Sequence, residues 1–305
     1  MWFYIIPSLM LGWSLGANDA ANVFGPPVAS RLVSYWKAVV VSAIFTVIGS
    51  VTGGAAGLHT IGSLSSSNVV ESSISVLGGA ISVIIMTILA LPVSTSQAVV
   101  GGILGIGLLK GSVNWGVLWK IVICWVTTPI GALFFGFVVY KITAPMFSRI
   151  KSIALQDKVL VIMTWVIGAY GAYSLGANNV ANVTGAFVGN LLTVQQAALI
   201  GGLAIASGTL TYSKKVMMTV GKKIIELDHF SSLISIFAEA LTVWIYALIG
   251  VPVSTSQAIV GGVLGAGIAR GTNLADRKML FRILFGWIGT PVVAGVISAI
   301  LYILI

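Results

Sequence analysis

Long apolar runs separated by short polar stretches follow one another along the whole chain. In the first half they cover roughly residues 2–17, 37–58, 68–91, 92–109 and 114–142, and in the second half roughly residues 159–176, 194–212, 230–250, 251–269 and 279–305. An α-helix of about 20 apolar residues crosses the hydrocarbon layer of a membrane, which is about 30 Å thick. The pattern therefore predicts an all-α, polytopic protein of the cell membrane with about five membrane segments in each half.

The polar residues inside these runs repeat. Residues 14–23 read Ser-Leu-Gly-Ala-Asn-Asp-Ala-Ala-Asn-Val, and residues 174–183 read Ser-Leu-Gly-Ala-Asn-Asn-Val-Ala-Asn-Val. Residues 92–105, which begin Pro-Val-Ser-Thr-Ser-Gln, return as residues 252–265 at the same offset of 160 positions. Two motifs repeated at one offset indicate an internal duplication.

A weaker echo extends the duplication to the last apolar run of each half. Trp125-Val-Thr-Thr-Pro129 is matched by Trp287-Ile-Gly-Thr-Pro291. Between the halves lies a polar stretch that contains several basic residues. We expect three parts: a first repeat over residues 1–142, a connector over residues 143–157 and a second repeat over residues 158–305.

The positive charges indicate how the repeats lie in the membrane. An odd number of crossings inserts the second repeat upside down relative to the first, and cytoplasmic loops carry an excess of Lys and Arg. If the N-terminus lies outside, all of the 16 basic residues except Lys110 and Lys120 fall on the cytoplasmic side. If residues 92–109 and their counterpart were re-entrant and left four crossings per repeat, the basic connector would lie outside. The charges therefore predict two inverted-topology repeats, with both termini outside and a cytoplasmic connector.

Composition excludes several classes of protein. The chain is 58% hydrophobic and 8% charged, whereas soluble domains contain about 25% charged residues. The formal net charge of +9 does not indicate a nucleic-acid partner, because the basic residues are dispersed between apolar runs. The single cysteine, Cys124, excludes a disulfide framework and a cysteine-based metal site. The N-terminal residues lack the cationic region of a cleaved signal peptide.

The Asn-rich motif predicts a break in the first helix of each repeat. Gly16 and Asn18 are poor helix formers, and Pro26 and Pro27 follow. Freed backbone groups cannot remain in hydrocarbon, so such a break must face protein or a water-filled cavity. Asn and Asp side chains with freed carbonyls form an all-oxygen ligand set that suits Na⁺ or H⁺ better than a transition metal. The alternative is that these amides only pack and hydrogen-bond the helices.

The second motif predicts a helix that starts inside the membrane. Ser or Thr can cap such a start, and first-turn amides without intrahelical partners attract anions. In an inverted repeat the two copies converge near the midplane, where secondary transporters bind substrate. The predicted ligands of a tetrahedral oxyanion are Ser94, Thr95, Ser96, Gln97, Ser254, Thr255, Ser256 and Gln257.

Neither copy contains Lys or Arg, so helix ends, hydroxyls and co-bound cations must balance the charge of the anion. The alternative is interhelical packing through hydroxyls and small residues. Three glycine series have the spacing of packing faces: Gly49-xxx-Gly53-xxx-Gly57, Gly101-xxx-Gly105 and Gly261-xxx-Gly265.

Three acids lie within apolar runs, where a charge is costly and usually functional. They are Asp19, Glu71 and Glu239. Glu239 precedes Pro252 by 13 residues, which is deep enough for a role in binding a cation or proton. Glu71 lies nearer the end of its run and can reach water.

The paired motifs together resemble the inorganic phosphate transporter (PiT) family over essentially the whole chain. The resemblance implies an inverted repeat of membrane helices that carries inorganic phosphate with Na⁺ or H⁺. It also implies that the Ser/Thr/Gln segments and Asp19 bind phosphate. The implied Na⁺ ligands are Asn18, Asp19, Asn22, Asn178, Asn179 and Asn182, to which we add Glu239.

The chain departs from the family pattern at three places. Position 179 is Asn where members commonly have Asp. Both polar segments end in Ser-Gln rather than Thr-His, and Thr46 stands where an acid is expected. Fewer acids leave the number and type of coupled ions open.

The resulting hypothesis is a secondary active transporter that imports phosphate with Na⁺ by alternating access and needs no cofactor. The alternatives are an H⁺-coupled phosphate permease, a sulfate permease and, more distantly, a passive anion channel. Phosphate can donate a hydrogen bond to a carboxylate and sulfate cannot, so contact between Asp19 and substrate would favour phosphate. The expected partners are phosphate, Na⁺ and the lipid bilayer, and the family and the Gly-rich outer faces are compatible with a homodimer.

An enzyme is not expected, although Gly12-Trp-Ser-Leu-Gly16 matches the Gly-x-Ser-x-Gly pattern of serine hydrolases. That pattern requires a strand-turn-helix elbow and a His partner. Here it lies inside an apolar run, and its repeat fails the spacing.

Overall fold

The computed structural model describes residues 2–29, 31–88, 93–223, 228–271 and 277–305. Within these ranges the chain is almost entirely helical. The α-helices, numbered α1 to α11, are Ile6–Ala29, Tyr35–Gly53, Ala55–Gly62, Val69–Ile88, Thr95–Lys110, Trp115–Ser148, Ile153–Thr184, Val194–Lys223, His229–Ile249, Thr255–Arg270 and Arg277–Leu304. The spans in this part of the chain that are long and apolar enough to cross a membrane are Tyr35–Gly53, Trp115–Ser148, Ile153–Phe187, His229–Ile249 and Phe285–Leu304.

The two helix starts predicted inside the membrane are confirmed. α5 begins at Thr95 and α10 at Thr255, and each has 16 residues. The hydroxyl of Ser94 accepts a hydrogen bond of 3.4 Å from the amide of Gln97, and Ser254 accepts the equivalent bond of 3.3 Å. Each serine is therefore an N-cap that satisfies one of the first free amides of its helix.

In each repeat an ion pair joins the start of one helix to the end of the next helix. Lys110, at the end of α5, lies 2.8 Å from Glu71 at the start of α4. Arg270, at the end of α10, lies 2.8 Å from Asp228, which caps the start of α9. Thus α4 and α5 form one antiparallel hairpin (hairpin 1), and α9 and α10 form another (hairpin 2). Pro92 lies outside the described residues of hairpin 1.

The hairpins enter from opposite sides. α6 follows α5 after a short turn with a left-handed Gly111 and therefore runs back in the other direction. A Cβ at Gly261 would meet the carbonyl of Pro129, and one at Gly265 would meet that of Leu133. Since residue numbers rise together along this contact, α10 is parallel to α6 and opposite to α5. The predicted inverted topology is confirmed.

The tip of each hairpin is the turn between its two helices, and the two tips are in contact. This contact corrects the expected number of membrane crossings. The hydroxyl of Ser96 donates a hydrogen bond of 2.9 Å to the carbonyl of Val253. If each hairpin crossed the membrane, these turns would lie about 30 Å apart on opposite faces. The five segments predicted for each half are present as helices, but the two of each hairpin are re-entrant. Three crossings remain per half among the described helices, and three is also odd, so the inversion is retained.

The helix break predicted at the Asn-rich motif is wrong. α1 is continuous from Ile6 to Ala29, and α7 from Ile153 to Thr184. A Cβ at Gly16 would lie 1.8 Å from the carbonyl oxygen of Ile205 in α8, and one at Gly176 would lie 2.0 Å from that of Thr46 in α2. These glycines therefore serve close helix packing, and the real interruptions are the hairpin tips.

The halves are interlocked. α1 packs on α8 and α7 on α2, while α5 packs on α11 and α10 on α6. The three predicted glycine faces are confirmed at these contacts; a Cβ at Gly101 would lie 2.2 Å from the Pro291 carbonyl and one at Gly49 2.0 Å from that of Tyr173. Most of the expected connector 143–157 belongs to the ends of α6 and α7, and residues 149–152 separate them.

Candidate functional site

A buried carboxylate connects the two repeats at the centre of the fold. Asp19 of α1 is 8% exposed. Its Oδ2 atom accepts a hydrogen bond of 3.0 Å from the hydroxyl of Thr255, the first residue of α10. The side-chain amide of Asn179, the equivalent residue of α7, donates to the same oxygen at 3.4 Å. Asp19 therefore joins both Asn-rich helices to the tip of hairpin 2.

The amides of α7 connect this group to the tip of hairpin 1. Asn182 donates hydrogen bonds to the hydroxyl of Ser96 at 2.8 Å and to Oδ1 of Asn179 at 3.0 Å. Ser96 in turn donates to the Val253 carbonyl. One continuous network thus contains residues from both predicted motifs of both repeats, although they are distant in sequence.

The equivalent residues Asn18 and Asn178 have different surroundings. Asn178 is buried and fixes the tip of hairpin 2, because its amide donates to the carbonyl of Val251 at 3.3 Å and its Oδ1 accepts from the amide of Val253 at 3.0 Å. Asn18 is exposed and donates to the carbonyl of Ser14 in its own helix. The structure therefore does not bring Asn18 to the cluster.

Four buried oxygens of the cluster have no hydrogen-bond donor among the described residues. They are Oε1 of Gln97, Oε1 of Gln257, Oδ1 of Asn182 and Oε2 of Glu239. Glu239 is 3% exposed and lies in α9, which packs against the α1 helix that carries Asp19. Of these four oxygens, Oδ1 of Asn182 and Oε2 of Glu239 are acceptors that, with the Asp19 carboxylate, suit a hard cation such as Na⁺. The described residues contain no cluster of three or more His, Cys, Asp or Glu that could hold a metal ion.

The starts of α5 and α10 supply donors to the same region. Their first amides have no intrahelical acceptor, and helix N-termini favour anions. Thr95 and Ser256 are half-buried, and their hydroxyls make no hydrogen bond with any described residue. Ser94 and Ser254 are occupied as caps. Asn22 is 7% exposed, and its side chain also has no partner in the described part of the chain.

Two other candidates lie away from this cluster. Glu71 forms a reciprocal cap with Asn68 at the start of α4 and pairs with Lys110. Ser14 lies within the continuous helix α1, so it is not on the strand-turn-helix elbow that its motif would require.

Comparison with known proteins agrees with this arrangement. The sequence profile described as the phosphate transporter family matches residues 15–161 and again residues 148–298. The chain belongs to the phosphate transporter family. The two overlapping matches correspond to the two repeats, so the family's characteristic unit occurs twice in this member. Its helices form a multi-pass membrane protein.

Relatives within the phosphate transporter family include permeases named for two anions. A putative phosphate permease of Methanocaldococcus jannaschii is 31% identical over 298 residues, which span 97% of this chain and 95% of the relative. The sulfate permease CysP of Bacillus subtilis is 30% identical over 304 residues, which span 97% of this chain and 86% of the relative. A solved structure titled the sodium-dependent phosphate transporter has the same fold, with a TM-score of 0.83 at 24% identity over 99% of this chain and 97% of that chain.

Sequence reasoning missed the backbone part of the site in this family member. The carbonyls of Val251 and Val253 and the amide of Val253 hold the tips together. Their side chains are apolar and carry no chemical signal. One signal was available in the sequence. The polar motif of each repeat begins with a proline, and the apolar segment that follows it is short for a full membrane crossing.

Proposed function

We propose that this member of the phosphate transporter family imports inorganic phosphate together with Na⁺ by alternating access. The observation that carries the proposal is the contact of Asp19 with the tip of hairpin 2 through Thr255. A cation at Asp19 would offset the charge of an anion bound at the helix starts. Because no basic side chain occurs in either polar motif, bound Na⁺ would be needed for the anion to bind.

The proposed cation ligands are Asp19 and the Asn-rich residues other than Asn18, with Glu239 as a further carboxylate. The unpaired oxygens of Asn182 and Glu239 support this assignment. The proposed phosphate ligands are the Ser/Thr/Gln residues at the starts of α5 and α10. Among them Thr95 and Ser256 have hydroxyls free to donate, whereas Ser94 and Ser254 contribute by capping.

Phosphate is the preferred substrate because of proton chemistry. Near neutral pH phosphate retains one or two protons and can donate to a carboxylate, whereas sulfate has none to donate. The Asp19 carboxylate lies at the tip where the anion would bind, so it would repel sulfate more strongly. The similarity to the sulfate permease CysP makes sulfate the competitor to include in any assay.

H⁺ coupling is the second candidate, because Glu239 is a second buried carboxyl group and its helix, α9, packs against the α1 helix that carries Asp19. Two neighbouring buried carboxyl groups cannot both be charged without a compensating cation, so one proton could replace Na⁺. In that case a pH gradient would drive uptake in the absence of Na⁺.

The test is uptake of labelled phosphate into proteoliposomes that contain the purified chain. We expect accumulation driven by an inward Na⁺ gradient, little in its absence and weak competition by excess sulfate. Asp19→Asn should reduce Na⁺-driven uptake by about 100-fold or more, because it removes the charge that binds the cation. Asp157→Asn changes an exposed acid and is the matched control.

Several results would contradict the proposal. If a pH gradient drives uptake equally well without Na⁺, the coupling ion is H⁺ rather than Na⁺. If the protein accumulates sulfate in preference to phosphate, the substrate is sulfate. Unchanged Na⁺-driven uptake by the Asp19→Asn variant would remove Asp19 from the site.

A further inference from the structure

Two tryptophans have buried indole N–H groups without acceptors, and they occupy equivalent places in the two repeats. The Nε1 atoms of Trp125 in α6 and Trp287 in α11 have no hydrogen-bond partner in the described part of the chain. These residues begin the two echoes that end at Pro129 and Pro291. A single unsatisfied donor could be a local accident, but the same donor in both repeats indicates a shared purpose.

The register of helix packing places each indole beside one glutamine. Gly261 of α10 lies against the Pro129 carbonyl, and Gly265 lies against that of Leu133. One helical turn earlier, the same parallel register sets Gln257 beside Trp125. Trp125 and Ala258, the residue after Gln257, also belong to one cluster of buried apolar residues.

The other repeat has the same register. Gly101 of α5 lies against the Pro291 carbonyl, and Gly105 lies against that of Gly295. One turn earlier, Gln97 is therefore set beside Trp287. Each glutamine is thus adjacent to a tryptophan contributed by the other repeat.

The chemistry of the two groups is complementary. Oε1 of Gln97 and Oε1 of Gln257 are buried acceptors without a donor, and an indole N–H is a donor only. Leaving both a buried donor and a buried acceptor unpaired is unfavourable. The structure shows no direct bond between the two groups, but one bridging water would satisfy both.

We propose that Trp125 and Trp287 are positioning residues for the two glutamines at the substrate site. Through a bridging water, the indole N–H holds Oε1 of the glutamine toward the surrounding helix, so that the two N–H donors of the carboxamide face the anion. Without this constraint the carboxamide can present its oxygen, which repels an oxyanion. The inference rests on the proposed function, because it concerns anion binding at the starts of α5 and α10.

The test is a double-mutant cycle on the half-saturating phosphate concentration of uptake in proteoliposomes. Trp125→Phe keeps the ring and removes the donor, and Gln257→Leu removes the acceptor. We expect each single change to raise the half-saturating concentration by about tenfold, with little change in maximal rate. The Trp125→Phe change should have no further effect when Gln257→Leu is already present, because the tryptophan acts through that glutamine.

The second repeat provides an internal control for the first. Trp287→Phe should be non-additive with Gln97→Leu, whereas Trp125→Phe with Gln97→Leu should be additive. Trp119→Phe, on the same helix as Trp125 but 63% exposed, should change nothing. Melting temperatures measured in detergent separate a loss of anion affinity from a loss of folded protein.

The possible results are distinct. Additive effects of Trp125→Phe and Gln257→Leu, or an unchanged half-saturating concentration in both Trp→Phe variants, would overturn this inference while leaving the proposed function intact. If the unchanged protein accumulates neither phosphate nor sulfate, the proposed function fails and this inference fails with it. Reduced maximal rates together with lower melting temperatures would assign the tryptophans to packing alone.

Discussion

The hydroxyl of Thr255 lies 3.0 Å from Oδ2 of Asp19, and this contact joins the tip of a hairpin from the second repeat to the middle of a helix from the first. A hydrogen bond to an ionised acceptor is stronger than one between neutral groups. The charge on Asp19 therefore affects the position of the hairpin tip directly, which links cation binding to the start of α10.

Thr255→Val should weaken the response to Na⁺. The change preserves shape and removes a charge-assisted hydrogen bond, which contributes about 1.5 to 3 kcal/mol, so the half-saturating Na⁺ concentration should rise by about tenfold or more. Thr255→Ser should restore it. The measurement is phosphate uptake as a function of Na⁺ concentration.

Thr95 provides the contrast, since its hydroxyl has no partner among the described residues. Thr95→Val should change the dependence on phosphate rather than the dependence on Na⁺. Equal responses of both variants to Na⁺ would show that the contact between Thr255 and Asp19 has no special role.

The helix starts and the packing faces could be predicted from the sequence, because the residues that determine them act on their own helix. Ser94 and Ser254 cap the helices that begin at the next residue, as their residue type predicts. The glycine series lie on helix faces at a spacing of four residues, which predicts close packing wherever the partner lies. These inferences need no knowledge of the tertiary structure.

Other features depend on which partner a residue meets, and sequence alone could not provide this. Gly16 is a poor helix former in isolation, yet its contact with Ile205 keeps it in a continuous helix. Asn18 and Asn178 occupy identical motif positions, but only Asn178 meets a hairpin tip. Lys110 pairs with Glu71 only because α4 and α5 fold back on each other.

Gly16→Ala should destabilise the protein. The added methyl would lie 1.8 Å from the Ile205 carbonyl oxygen, a backbone atom that cannot move without shifting α8. Overpacking of this kind costs about 1 to 3 kcal/mol. Gly116→Ala is the control, because its methyl would lie on an exposed residue 3.5 Å from the nearest atom, Oδ1 of Asn114. We expect a lower melting temperature for the first variant alone, and equal melting temperatures would refute the packing role.

Asp228 should stabilise hairpin 2 in a pH-dependent way. Burial alone would raise the pKa of Asp228, but hydrogen bonds from Ser231 and the charge of Arg270 outweigh it and hold this pKa below its usual value. A lowered pKa means that the ionised group stabilises the folded state above its ordinary pKa of about 3.9 and that this contribution disappears as the pH falls through the lower folded value.

Asp228→Ala should therefore lower the melting temperature at pH 7 and have less effect near pH 3. The expected loss at pH 7 is about 1 kcal/mol, mainly from the helix cap, because the ion pair is partly exposed and contributes little. Asp228→Asn retains a capping oxygen and should lose less. A difference between Asp228→Ala and the unchanged protein that stays constant with pH would contradict this account.

The orientation of the protein can be tested with two single-cysteine variants. Ser66 lies on the face where Lys110 pairs with Glu71, since Lys110 donates to its carbonyl. Lys151 lies beyond the other end of α6, whose 34 residues span about 51 Å. The charge distribution predicts that Ser66 is outside and Lys151 is cytoplasmic. The two exceptions have local partners, since Lys110 pairs with Glu71 and Lys120 donates to the carbonyl of Ile249.

With the native thiol removed by Cys124→Ala, a membrane-impermeant maleimide added to intact cells should label the Ser66→Cys variant and spare the Lys151→Cys variant. Both should be labelled after the cells are permeabilised, which shows that each thiol is accessible. The reverse pattern in intact cells would place the N-terminus in the cytoplasm. It would also mean that the basic residues, which are concentrated on the Lys151 face, lie outside against the usual preference.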